Sequence, residues 1–212
     1  MLYRLPLLCI SLTLIALPSS LSASTVEKFR NQKVIVTEET LTPGETASSP
    51  HNRPAMIVFL TPSTAEFIRD QGASPSQPVK RGDTVFQPAD AQGIKNSGSS
   101  SLSFVRVQFL TEGGSETWSM TGLAPNYKLL LEDRYARAYD IRIPAQSFEP
   151  QHTHRDRVVV CLSGAHLEHI LPDREKQPSD LKTGEIAWRL GATHIGHNMG
   201  QTDLWVIAIE PK

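Results

Sequence analysis

Cysteine is almost missing from this chain. Of its two, Cys9 lies in the apolar run that opens the sequence, and Cys161 stands alone in the remainder. One cysteine cannot close an internal disulfide, so the fold must rest on its core. Net charge is missing too. Lys and Arg number 21 against 22 Asp and Glu, a formal charge of −1 with a pI near 6.7. Such a balance leaves no electrostatic footprint for nucleic acid or for an anionic membrane surface, and no nucleic-acid partner is expected. Beyond the opening segment no stretch holds a strong 3.6-residue apolar period for several turns. With 15 prolines and 13 glycines, the chain is a poor candidate for long helices and reads as all-β.

The opening segment is read apart from the fold. Arg4 is followed by LPLLCISLTLIALP and then by the small residues SSLSAS. Charged start, apolar middle and small-residue zone are the order of a secretory signal. Cleavage near Ala23 is expected, making 1–23 a signal peptide and the protein periplasmic or secreted. The apolar run is short for a bilayer span, so no stable membrane insertion is expected after cleavage. Cys9 sits inside the run and not after it, which argues against a lipid-anchored cysteine.

Short strands punctuated by Pro, Gly and Ser clusters follow. Candidates are 33–37, 55–60, 103–110, 136–143, 157–162 and 204–209, each rich in Val, Ile, Leu and aromatics. Sliding the chain against itself exposes a repeat. Leu41 meets Ile143, Val58 meets Val160 and Leu60 meets Leu162. Gly82 then meets Gly184, Phe86 Trp188, Asn96 Asn198, Gly98 Gly200 and Leu102 Leu204, all at an offset of 102. One supersecondary unit is therefore used twice. The expected organisation is an N-terminal unit over 24–111, a linker over 112–130 that includes EGGSETWSMTGLAPN, and a C-terminal unit over 131–212. Closing each sheet into a small barrel, or protecting its edges in a jelly roll, leaves a mouth that holds one small ligand.

The candidate chemistry lies in PQHTHRDRVVVCLSG. His152 and His154 stand two apart at the head of an apolar strand, so period two sends both imidazoles to one face. The same parity sends Val158, Val160 and Leu162 inward and places Cys161 on the opposite face as a packed small hydrophobe. A third nitrogen ligand is expected from His194, in GEIAWRLGATHIGHN. His197 differs from it in parity and precedes turn residues, which favours a solvated role. His166 and His169 flank Glu168, and one of these three is a further candidate to point inward.

His-x-His leading into an apolar strand and Gly, then Gly-x6-Gly-x2-His-x3-Asn, resembles the two signature motifs of the cupins. The resemblance is good over 136–209 and weak over 34–110, and it implies a bicupin of two tandem cupin-type jelly-roll β-barrels. In that family the two motifs give three histidines and usually one glutamate to a single metal ion. Carried over, the ligands here are His152, His154 and His194. The expected glutamate is replaced by Val158 or Val159, the proline of the second motif by Arg189 or Leu190, and the spacing between the glycines is one residue short. A divalent ion (Fe, Mn, Ni, Cu or Zn) is the implied cofactor.

The repeat supplies an internal control. An offset of 102 places Pro50, Asn52 and Gln92 opposite the three histidines, and none is a good transition-metal ligand. A local offset of 101 would pair His51 with His152 and Arg53 with His154. The N-terminal unit is therefore read as degenerate, packing against its partner or lining a pocket. Three neutral imidazoles leave the ion its full charge, which favours an anionic or enolate-like small molecule. The resemblance implies a dioxygenase-type oxidoreductase. A non-catalytic ligand-binding module and a metal-dependent isomerase or lyase remain open, as does a homodimer.

Overall fold

In the computed structural model the described residues are 24–49, 53–114 and 123–212, and among them there is no helix. The expected signal peptide and the residues Pro50, His51 and Asn52 lie outside them. In the first half, β1 (Ser24–Arg30), β2 (Val34–Leu41), β4 (Ala55–Phe59), β8 (Thr84–Gln87) and β10 (Leu102–Phe109) form one sheet in the order β1-β2-β10-β4-β8. A second sheet has β3 (Thr46–Ser48), β9 (Ala91–Asn96), β5 (Ser63–Arg69) and β6 (Gly72–Ala73) in that order, with β7 (Gln77–Val79) also paired to β5. In the second half, β11 (Tyr127–Glu132), β12 (Ala136–Ile143), β19 (Leu204–Pro211), β14 (Arg157–Ser163) and β17 (Ile186–Arg189) form a sheet in that order. Facing it are β13 (Phe148–His154), β18 (Ala192–Asn198), β15 (Leu167–Ile170) and β16 (Lys176–Pro178).

The offset of 102 reappears as hydrogen bonds. Asn96 Nδ2 donates to the carbonyls of Leu41 and Ser100, and Asn198 Nδ2 donates to those of Ile143 and Thr202. The amides of Gly98 and Gly200 donate to the two asparagine side chains. Gly82 and Gly184 take the same left-handed backbone, φ 85° and 84°, in matching turns. Such a φ is open to glycine at little cost.

Burial explains why some strands read as unbroken apolar runs. Both faces of β4, β10, β14 and β19 are covered along most of their length. One face meets the inside of its own half. The other meets a core shared by the halves, where Val34, Val36, Met56, Val58, Val105, Val107 and Phe109 pack with Ala136, Ala138, Val158, Val160, Leu162, Ile207 and Ile209. The Tyr135 ring is stacked between Phe86 and Phe109, 6.0 and 5.8 Å from their centroids. Strands β13 and β18 alternate instead, because one of their faces meets water.

Strand pairing of the second half begins at Tyr127. One expectation needs correction here: parity does not carry from the histidines to the valines. The chain turns at Arg155 and Asp156 and passes from one sheet to the other, which resets the alternation. Val158, Val160 and Leu162 therefore face the shared core, while Val159 and Cys161 face the inside of the second half.

Candidate metal centre

The histidines come together through β13 and β18, which run antiparallel with His152 directly opposite His194. Residues paired across a sheet project to the same side, so His194 joins His152 and, two residues on, His154. The three rings are 2%, 5% and 2% exposed for His152, His154 and His194. One nitrogen from each lies within 4.8 Å of the others.

Hydrogen bonds set the tautomers. His152 Nδ1 lies 3.0 Å from the Pro150 carbonyl, and His154 Nδ1 lies 3.2 Å from the Arg155 carbonyl. A carbonyl only accepts, so both Nδ1 atoms carry the proton and both Nε2 atoms present a lone pair. His154 Nε2 and His194 Nδ1 are buried without a partner. The Tyr127 hydroxyl reaches His152 Nε2 at 3.2 Å and must donate there. Burial raises the pKa of Tyr127 well above the ordinary phenol value, so it stays protonated. Burial also depresses His194 to about 3, holding it neutral and fit to ligate. Converging imidazole nitrogens, two of them bare, suit a divalent ion.

The surrounding residues include several that the sequence reading missed. Glu149 is buried, accepts a hydrogen bond from Asn126 Nδ2 at 2.9 Å, and places its other oxygen 3.6 Å from His152 Nε2. Three residues apart, the two should face opposite ways. A register shift between Glu149 and His152 adds a residue at Pro150-Gln151 and brings them to one side. Burial raises the Glu149 pKa above the usual carboxylate value. Pro150 within a strand was the available signal, since proline marks edges and bulges. Arg157 is also buried, and it lines the same cavity of about 180 Å³ as His154, His169, His194, Glu149 and Tyr127.

His169 is the inward member of the candidate group at 166–169. Its ring stacks on His194 with centroids 3.8 Å apart, and burial lowers its pKa to about 4. Glu168 turns away to Lys176 at 2.9 Å, and exposed His166 bonds Asp180 at 2.7 Å. His197 stacks on exposed Phe148 at 3.8 Å, outside the triad as its parity indicates. Cys161 shares the triad's side of β14, contrary to expectation, but it is packed, with its thiol pushed up by burial to about 11. That leaves it inert as ligand or nucleophile.

Among solved structures the chain is similar to a cupin 2 conserved barrel domain protein from Leptotrichia buccalis, with TM-score 0.59 and 11% identity over 94% of this chain and 93% of that one. It is also similar to AerE from Microcystis aeruginosa, with TM-score 0.63 and 15% identity over 90% and 97%. An oxalate decarboxylase from Bacillus subtilis gives TM-score 0.59 and 11% identity over 84% and 68%. The chain has the cupin fold. No family model matches the sequence, and no curated protein matches it. In this cupin fold the two positions considered for the missing glutamate separate: Val158 faces the shared core and Val159 lines the cavity.

The first half offers a different interior. Gln92, opposite His194 in the repeat, is exposed and donates to Asp70 at 2.6 Å. Buried Arg106 is held by both oxygens of Glu39, at 2.6 and 3.0 Å, and also bonds Gln87. Such a saturated ion pair fills space and asks for no ion.

Proposed function

We propose that the protein is an exported metal-dependent cupin whose ion is held by His152, His154 and His194, and that it acts as a dioxygenase-type oxidoreductase on a small organic molecule. The observation that carries the metal reading is the convergence of three buried imidazoles with His154 Nε2 and His194 Nδ1 left bare. Buried polar atoms are ordinarily satisfied, so bare ones mark a place for a ligand. An ion bound there supplies Lewis acidity, or redox chemistry if it is iron, manganese or copper.

The chain's own groups have distinct tasks. The Pro150 and Arg155 carbonyls hold His152 and His154 in the ligating tautomer. Tyr127 loses its acceptor when the His152 lone pair is taken, and its hydroxyl can then donate to substrate. Ile141, Ile143, Val159, Leu204 and Val206 form the apolar wall that limits water. Glu149, a buried carboxylate with a raised pKa beside His152, is suited to take or give a proton. That residue favours a second reading, a metal-dependent isomerase or lyase.

The test is elemental analysis of protein purified from its native compartment, followed by oxygen uptake with candidate diketones, thiols and phenols. One bound ion with substrate-dependent oxygen consumption supports the oxidoreductase. One ion and turnover without oxygen uptake supports the lyase or isomerase. Protein that stays metal-free in excess Fe(II), Mn(II), Ni(II), Cu(II) and Zn(II) refutes both and leaves a binding module.

A further inference from the structure

Arg157 is a charged group of the cavity with donors left unused among the described residues. It is 9% exposed, and its Nε and Nη1 atoms are buried with no hydrogen-bond partner. The first half shows what a structural arginine looks like here: Arg106 gives hydrogen bonds to both oxygens of Glu39 and to Gln87. Arg189 lines the same cavity but is held by Glu185 at 2.7 Å. Arg157 has no such acceptor among the described residues. Glu149 and Glu210 feel its charge, yet neither accepts a hydrogen bond from Nε or Nη1. Leaving buried guanidinium donors unmade is costly, and a fold retains such strain where a ligand relieves it.

We propose that Arg157 receives the carboxylate of a small carboxylic acid whose other end faces the three histidines. The claim rests on the metal reading above only for that second contact. A guanidinium presents a planar fork of donors that matches a carboxylate in two parallel bonds. The cavity, about 180 Å³, is smaller than the roughly 300 Å³ at which pockets for larger ligands begin. Its apolar wall suits a short carbon chain. Glu149, which lines the same cavity, favours a monoanion over a phosphate dianion, because its carboxylate repels each further negative charge on the ligand. The acid enters as an anion, its carboxylate turns to Arg157, and its carbonyl or hydroxyl oxygen reaches toward His152, His154 and His194.

The experiment is calorimetric titration of purified protein, metal-free and Ni(II)-loaded, with pyruvate, its uncharged analogue pyruvamide, and inorganic phosphate. Wild type, Arg157→Gln and Arg157→Lys are compared, and Ni(II) affinity is measured for each first. Expected is pyruvate binding weakened by about ten- to a hundredfold in Arg157→Gln and partly kept in Arg157→Lys. Ni(II) affinity should stay within about twofold, and pyruvamide should be indifferent to the change. Equal pyruvate affinity in wild type and Arg157→Gln overturns the proposal, as does phosphate binding tighter than pyruvate. Loss of Ni(II) and pyruvate binding together in Arg157→Gln also overturns it, by making Arg157 a support for the histidines. If wild type takes up neither Ni(II) nor Fe(II), Mn(II), Cu(II) or Zn(II), the three-histidine reading fails by itself, and the Arg157 dependence of pyruvate binding to metal-free protein still decides the carboxylate site.

Discussion

The stack of His169 on His194 makes metal-free stability depend on pH in a calculable way. Burial lowers His169 from its ordinary value of 6.5 to about 4. Below pH 6.5 the unfolded chain therefore binds a proton at this position that the folded chain refuses until about pH 4. Stability contributed by His169 is complete above pH 6.5 and is lost progressively as pH falls toward 4. Between about pH 7.5 and about pH 5.5 the unfolded ring becomes nearly fully protonated while the folded ring does not, a difference of about 1.3 kcal/mol. Partial exposure of the ring reduces this to about 1 kcal/mol, or roughly 2–4 °C in Tm for a chain of this size. His169→Gln, melted beside wild type in EDTA at both pH values, should show a smaller drop by that amount. An identical drop in both proteins, or a larger one in His169→Gln, would refute the reasoning.

His152→Ala and His154→Ala should each abolish metal uptake, read by equilibrium dialysis. Thr153→Ala should leave it intact, since exposed Thr153 hydrogen-bonds Thr193 at 2.8 Å on the other face. Val159→Glu should tighten metal binding and lower turnover, by placing a carboxylate on the cavity wall where it draws charge from the ion. Val158→Glu should instead unfold or destabilise the protein by about 3 kcal/mol or more in a denaturant titration, because that side chain enters the shared apolar core. One ion per chain is expected by plasma emission analysis. Two tightly held ions, one lost on changing His51 or Gln92, would contradict a degenerate first half.

Legibility followed local regularity. The strand ends at 136–143 and the starts at 55, 157 and 204 were readable, since apolar runs covered on both faces need no choice of side. The repeat was readable because turns are held by particular side chains, Asn96 and Asn198 above all, that tolerate little drift. His152, His154 and His194 could be grouped because two lie on one strand at period two and the third lies on its pairing partner. Features depending on a break in period were not readable. The bulge at Pro150-Gln151 concealed Glu149, and the corner at Arg155-Asp156 inverted the faces assigned to Val158, Val160, Leu162 and Cys161. Arg157 gave no signal for a related reason: as the first residue after that corner, it has no alternation to reveal its direction. Tyr127 lay in a stretch whose composition reads as linker and whose strand character comes from pairing with β12.

The shared core bears on why a half with no cluster of metal ligands among its described residues is kept. Half of the buried residues of that core lie within residues 34–109, and the ring of Tyr135 is stacked on Phe86 and Phe109 of the same half. Cut away, it would leave Val158, Val160, Ile207 and Ile209 facing water on the very strands whose opposite faces wall the cavity. A chain of the second half alone would have to find another copy of itself to cover that surface, at a cost in concentration dependence. Here the cover is covalent, so its effective concentration is fixed and the site stays assembled at any dilution. The first half serves the second as a built-in subunit.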